Sequence, residues 1–198
     1  MKRILINSSY NDELRVALVD GAKLFDLDTE VTDRVLYKGS IFKATVSRIE
    51  QSLNAAFVDF GSTRHGFLPL KELSRNFYKK NSQGKSECTL REGQEILVQI
   101  NKEERGTKGA TLSTQISIAG RFMVLIANSD KSGGISRRIT GDEREDLKNQ
   151  ISKLDIPEGM SVIIRTAGID RSFEELQNDL NYLISLWDDI NATQASAD

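Results

Sequence analysis

LNAAFVDFGSTRHGFLP runs from Leu53 to Pro69, and its reading decides the fold of the middle of the chain. Two short apolar runs, Asn54–Phe60 and His65–Leu68, flank the four-residue turn Gly61–Arg64. They read as neighbouring antiparallel strands. Side chains on a strand alternate between faces. Ala56, Val58 and Phe60 therefore share one face, and Ala55, Phe57 and Asp59 the other. A lone buried carboxylate is costly, so the Asp59 face is assigned to solvent and takes Phe57 with it. In the second run, Leu68 inward makes Phe67 outward. This assignment sets two aromatic rings side by side on the outside of the domain. A one-residue slip would turn both into the core, and pattern alone leaves the two readings open.

Working outward, residues 37–118 hold five strand-like runs: Tyr37–Ile49, Asn54–Phe60, His65–Leu68, Glu95–Ile100 and Ala110–Ile118. Leu70–Phe77 reads as a short helix, and the polar, Lys-rich Asn76–Cys88 as a mobile loop. Five short antiparallel strands fit a small closed barrel of the OB type, with an SH3-like barrel as the alternative. Before it, residues 2–28 read as short strands with a hairpin signal at Asp20-Gly21, and residues 29–36 as a charged linker. After it, Phe122–Ala127 and Ser161–Thr166 read as strands, with a turn at Gly133-Gly134. Thr140-Gly141-Asp142-Glu143 and Ser172-Phe173-Glu174-Glu175 have the form of capping boxes. The first helix should run through Leu147, Ile151 and Leu154 and end before Pro157. The second places Phe173, Leu176, Leu180, Leu183, Trp187 and Ile190 on one apolar stripe. The polar tail, residues 191–198, reads as disordered. The fold class is α+β with more than one domain.

Composition narrows the chemistry. The 198 residues include one cysteine, Cys88, and one histidine, His65. That leaves no internal disulfide, no zinc cluster of Cys and His, and little support for a hydrolytic triad. The lone thiol fits a cytoplasmic location. No Gly-rich nucleotide loop appears. No apolar run approaches the roughly 18 residues of a membrane span, and the start is too short for a signal peptide. Net charge is −2, yet it is unevenly spread. Residues 36–118 hold thirteen Lys/Arg against eight Asp/Glu, whereas residues 119–198 hold nine against fourteen. A basic middle is the electrostatic footprint of a nucleic-acid surface, although uneven surface charge alone would look the same. Paired exposed aromatics among Lys38, Lys43, Arg64 and Lys108 suit single-stranded nucleic acid, with rings stacking on bases and cations holding phosphates.

The blocks MKRILIN, ELRVALVDG, AAFVDFG, RHGFLPLKE, LREGQE, VQINKEERGTKGA, GGISRRI, PEGM and RTAG resemble the N-terminal part of the ribonuclease E/G family, from Met1 to about Ile190. The resemblance implies three parts. Residues 1–35 would be the first piece of a ribonuclease-H-like domain completed later in the chain. Residues 36–115 would be an OB-fold RNA-binding domain of the ribosomal-protein S-one type, and residues 116–190 a small α/β 5′-sensor that reads a 5′-monophosphate. It implies an RNA-binding set of Phe57, Phe67 and Lys108, with Phe60, Lys38 and Arg64. Close relatives carry Tyr where Phe60 stands. It also implies a 5′-phosphate set of Arg165, Thr166, Gly120 and Val124. A guanidinium fork and a hydroxyl suit phosphate oxygens.

The resemblance places the catalytic aspartates with their Mg, and the Cys pair that joins protomers through Zn, outside this chain. No catalytic residue, metal site or cofactor is therefore assigned to these 198 residues. The expected partner is single-stranded RNA with a 5′-monophosphate. The full-length enzyme would form a homo-oligomer, associate with the RNA-degradation machinery and the inner membrane, and act in rRNA processing and mRNA decay. Two alternatives stand beside this reading. One is a protein-interaction module without RNA binding, suggested by the last helix's stripe and the orphan first strands. The other is a self-sufficient nuclease, against which Asp142 and Glu143 are better explained as first-turn helix charges.

Overall fold

The computed structural model describes residues 1–10, 13–31, 37–129 and 133–196. The chain divides into two compact units, Met1–Tyr37 and Lys38–Asp198.

The first unit is an antiparallel meander of β1 (Lys2–Tyr10), β2 (Glu13–Asp20) and β3 (Lys23–Val31). Its strands are longer than the sequence pattern suggests, and β3 takes in the start of the expected linker, whose remaining residues, 32–36, lie outside the described ones. The N-terminal ammonium sits 2.6 Å from Asp20 at the β2–β3 turn. None of its described residues is buried, and Ile6 and Phe25 are 68% and 58% exposed.

The second unit opens with the barrel strands β4 (Ile41–Glu50), β5 (Ala55–Asp59) and β6 (Gly66–Pro69). A ribbon of β7 (Tyr78–Lys80) and β8 (Ser86–Cys88) follows, then β9 (Glu95–Lys102) and β10 (Thr111–Ser113). The barrel closes in the order β10-β6-β5-β4-β9, the Greek-key closure of an OB-type barrel. It is not wholly antiparallel as expected: β10 runs parallel to β6, with Thr111 opposite Phe67. Ala44, Val46, Val58, Leu68, Val98 and Leu112 fill the interior, each less than 4% exposed. Gly66 is buried, and a Cβ there would run into the Leu112 side chain and lie 3.2 Å from Phe60.

Three connections differ from the sequence reading. Leu70–Phe77 is not one helix but two 3-10 turns, Leu70–Glu72 and Arg75–Phe77, separated by extended Leu73 and Ser74. Leu73 turns into the core, and the Ser74 amide donates to buried Thr114 Oγ1. The stretch Asn76–Cys88 is not a simple loop, because it contains the β7–β8 ribbon. Asn81 Oδ1 accepts from the amides of Gln83 and Lys85 and closes that hairpin. The run Ala110–Ile118 splits between two sheets. Its middle, Ser113-Thr114, bends towards Glu72, whose carbonyl accepts from both hydroxyls and from the Thr114 amide.

The second sheet, ordered β11-β12-β14-β13, comprises β11 (Ser117–Ala119), β12 (Met123–Ile126), β13 (Gly134–Ile135) and β14 (Ser161–Ile164). The expected Gly133-Gly134 turn thus gives way to strand at Gly134, parallel to β14. Between β13 and β14 runs α1 (Gly141–Ile151). Its expected capping box does not form: Thr140 makes no side-chain cap bond. Gly141 has φ +66, so the chain enters the helix from a left-handed residue rather than from a box geometry. The second box does form at the start of α2 (Phe173–Ser196). The Glu175 amide donates to Ser172 Oγ, and the Ser172 amide returns a bond to the Glu175 carboxylate. That amide is the main influence holding the Glu175 carboxyl below its ordinary range.

Leu176, Leu180 and Leu183 are fully buried on α2 and Trp187 nearly so. Phe173 departs from the stripe, at 43% exposure. The tail expected to be disordered from residue 191 continues α2 to Ser196. Asp179, beside the stripe, accepts from the amides of Arg121, Phe122 and Met123 at 3.0, 2.8 and 3.1 Å. Among the described residues no helix is long and apolar enough to cross a membrane.

Two stability predictions follow from this packing. Gly66→Ala should cost about 1–3 kcal/mol by overpacking β6 against β10, read as a lower urea midpoint. A wild-type midpoint would mean that Leu112 yields freely. Asp179→Ala should cost about 2–4 kcal/mol by orphaning three amides. Asp179→Asn should recover part of it, because an amide oxygen still accepts.

Candidate nucleic-acid interface

On the barrel, β4, β5 and β6 lie side by side, and Phe57 pairs directly with Phe67 across β5 and β6. The inward set is Ala56, Val58 and Leu68, so both rings point away from the core and are half-buried on the surface. Their centroids are 6.1 Å apart with planes inclined at 64°. An edge-to-face pair of this kind holds both rings in place without hiding either face completely.

Phe60 does not join them. It packs against the barrel core, edge-on to Phe42 at 5.4 Å. That is the inward placement its alternation with Ala56 and Val58 requires.

Arg64 through its side chain, and Lys38 and Lys108 through their backbones, meet at one end of the barrel, around the loop 103–108. Arg64 Nη1 donates to the Gly106 carbonyl, and the Lys38 amide donates to Glu103 Oε1 at 3.2 Å. Lys108 exchanges two backbone bonds of 3.1 Å with Arg105, which makes the loop a tight turn. Gly109 follows, pressed against the His65 carbonyl where no Cβ would fit. Next, Ala110 accepts from the Phe67 amide at 2.8 Å. Lys108 is thereby fixed just beyond the Phe67 edge of the pair. His65 is exposed, and its backbone, rather than its imidazole, takes part in this packing.

One neighbour of the pair was not legible from alternation. Arg48 lies opposite Phe57 on β4, its guanidinium carbon 6.0 Å from the ring centroid. Regular alternation from inward Val46 would turn Arg48 inward too. A bulge between Val46 and Arg48 adds one residue and flips it out.

The second cluster surrounds the turn Gly120–Met123, between β11 and β12. Gly120 and Met123 share a backbone bond of 2.8 Å, and Asp179 gathers the turn's amides. A Cβ at Gly120 would strike Asp179 and Leu183 at 2.7 and 2.9 Å. At the end of β14, Arg165 reaches back, its amide to the Phe122 carbonyl and its Nη1 to the Gly120 carbonyl at 2.7 Å. Thr166, exposed, opens the 3-10 turn Thr166–Gly168. Val124 lies on β12, opposite Ile163, half-buried. Arg165, Thr166 and Gly120 therefore converge on one turn, with Val124 one step along the strand.

The guanidinium carbons of Arg121 and Arg171 flank the Phe122 ring at 5.0 and 5.4 Å, two cations the sequence reading left out. Asp179 was also missed. A carboxylate beside a buried leucine stripe was its one signal, since such a group needs partners. Among the described residues, no group of three or more His, Cys, Asp or Glu side chains is placed to hold a metal ion.

Comparison with known proteins agrees with the barrel. The S1 RNA binding domain matches residues 36–115, and the Ribonuclease E/G family matches residues 117–198. The chain is 52% identical over 200 residues to ribonuclease E of Escherichia coli strain K12, covering 99% of this chain and 19% of that protein. It is 51% identical over 200 residues to ribonuclease E of Haemophilus influenzae, covering 99% of this chain and 21% of that protein. Ribonuclease G of Escherichia coli strain K12 is 33% identical over 183 residues, covering 88% of this chain and 37% of the relative. The chain thus spans about a fifth of the length of the ribonuclease E relatives. With a closed OB-type barrel matching an S1 RNA binding domain and a second sheet matching the family's own segment, the chain belongs to the ribonuclease E/G family.

Proposed function

We propose that the chain is the RNA-recognition part of an endoribonuclease of this family, acting in RNA processing and mRNA decay. Single-stranded RNA lies on the barrel with bases on Phe57 and Phe67 and phosphates on the cations around Lys108. The observation that carries this reading is the cross-strand ring pair, 6.1 Å apart and beside the 103–108 loop that carries Lys108 and meets Arg64. Base–aromatic stacking is sequence-tolerant, since every base has a π face. The 64° between the rings means that they cannot sandwich one base; each offers its own plane, and the RNA must turn between them. That favours unpaired, splayed bases over a duplex.

The second cluster is proposed to read a 5′-monophosphate. Arg165 uses one donor on the Gly120 carbonyl and keeps others of its guanidinium for phosphate oxygens, with the Thr166 hydroxyl beside it. Gly120 and Val124 supply backbone around the same turn. Phe60, packed inward, supports the barrel beneath the RNA in this proposal rather than stacking on it. Cleavage with its magnesium, zinc-linked homo-oligomerisation and association with the RNA-degradation machinery are assigned to parts of the relatives that this chain does not span. The open β1–β3 meander, with Ile6 and Phe25 exposed, supports its reading as one piece of a ribonuclease-H-like domain completed by further chain.

Two binding measurements test the proposal. By fluorescence anisotropy, Phe57→Ala should cost about 1–3 kcal/mol of affinity for short single-stranded RNA; an unchanged affinity would remove the stacking role. Wild type should bind 5′-monophosphorylated RNA more tightly than its 5′-hydroxyl counterpart, and Arg165→Ala should abolish the difference. Equal binding of the two RNAs by wild type would remove the sensor role.

A further inference from the structure

Arg48, Phe57 and Phe67 occupy one continuous cross-strand row over β4, β5 and β6. The β4 bulge sets the row: Val46 pairs with Val58, yet Arg48 pairs with Phe57, and Ile49 resumes the inward course against the core. Arg48 is left on the outer face, its side chain 64% exposed and its guanidinium carbon 6.0 Å from the Phe57 ring.

The guanidinium is not loose. Arg48 Nη2 donates to Glu50 Oε2 at 2.6 Å, and the other oxygen of Glu50 accepts from Ser52 Oγ at 2.7 Å. The Ser52 hydroxyl foremost, with the Arg48 charge adding to it, holds the Glu50 carboxyl below its ordinary range. Glu50 therefore stays ionised and keeps Arg48 oriented along the ring. Of the five donors of a guanidinium, this arrangement occupies one, and the rest remain for an acceptor.

The row is thus flanked by cations on both sides. Lys108 stands beyond Phe67, fixed through Gly109 and Ala110, and Arg48 stands beyond Phe57. A base stacked on Phe57 brings its own phosphate within reach of the outer side of the row, where Arg48 is the charged group directly opposite. We propose that Arg48 is a phosphate-binding residue of this surface, holding a backbone phosphate on the β4 side of the aromatic pair, so that single-stranded RNA crosses β6, β5 and β4 in turn. The assignment rests on the proposed RNA surface and adds the direction of its path.

Salt-dependent binding of short oligouridylate to the 198-residue chain tests it, because charge and stacking leave different marks. Each phosphate neutralised on a single strand contributes about −0.7 to the slope of log K against log salt. Arg48→Gln should weaken binding about 5-fold at low salt and make the slope shallower by about 0.7. Arg48→Lys should keep the wild-type slope. Phe57→Ala should weaken binding with the slope unchanged. If Arg48→Gln keeps both affinity and slope while Phe57→Ala weakens binding, the Arg48 assignment is overturned and the RNA surface stands. If Phe57→Ala has no effect while Arg48→Gln flattens the slope, the stacking reading falls and the phosphate contact stands.

Discussion

Closure of the barrel rests on the contact between β6 and β10, where Leu112 occupies the space a side chain at position 66 would need. Interiors are close-packed, and an extra methyl at such a point displaces its neighbours. Much of the outer surface follows from this one packing condition. With Gly66 and Leu68 inward, Phe67 has no choice but to face out. With β10 drawn in, the Ala110 carbonyl meets the Phe67 amide, and the turn carrying Lys108 is placed beside that ring. Gly109 repeats the device one step on, since its missing Cβ lets the chain pass against the His65 carbonyl. Ring and cation are positioned by two glycines whose missing Cβ atoms let neighbouring chain segments close in.

The second sheet uses a carboxylate where the barrel uses glycines. Three successive amides at Arg121, Phe122 and Met123 point the same way, a concavity that invites an anion. Asp179 fills it from α2, so the turn arrives already folded. The Gly120 carbonyl is then turned outward and receives Arg165. Because the helix also buries Leu176, Leu180 and Leu183 against the same sheet, the turn is locked to the core on one side and to the β14 end on the other. An external phosphate at this place would meet side-chain donors held in position by the backbone, rather than the backbone concavity itself.

The parts of this architecture that obey a period were legible in the sequence. Alternation through Ala55–Phe60 offered the outward place of Phe57 as one of two readings, and the leucine spacing of α2 placed its buried face. What escaped were departures from period. The β4 bulge moved Arg48 from the inner face to the outer, and nothing in Val46-Ser47-Arg48 announces an added residue. Ser113-Thr114 broke one apparent strand into two, because the Glu72 carbonyl lies beside it only after folding. Thr140 carries the letters of a capping box, but the left-handed Gly141 denies it the geometry. The site residues divide in the same way. Strand parity puts Phe57 and Phe67 on a shared face and leaves open which face it is, whereas the meeting of Gly120, Arg165 and Asp179 joins positions far apart in sequence.

Barrel and second sheet are also joined through the interior by the Gln99 amide. Gln99 on β9 is 5% exposed, and its Nε2 donates to the carbonyls of Gly39 and Ser117 at 2.8 and 2.9 Å. Its Oε1 accepts from the amide and hydroxyl of Ser117. A buried amide with every partner in place specifies one arrangement strongly, because any shift leaves polar groups unpaired in a dry interior. Ile41 and Leu97, both barrel residues, pack against the core of the second sheet. The ring row on the barrel and the arginine turn on the second sheet are therefore parts of one framework. A strand of RNA engaging both would meet two surfaces whose spacing is set by the fold before it arrives, so little of its binding energy would be spent on ordering the protein.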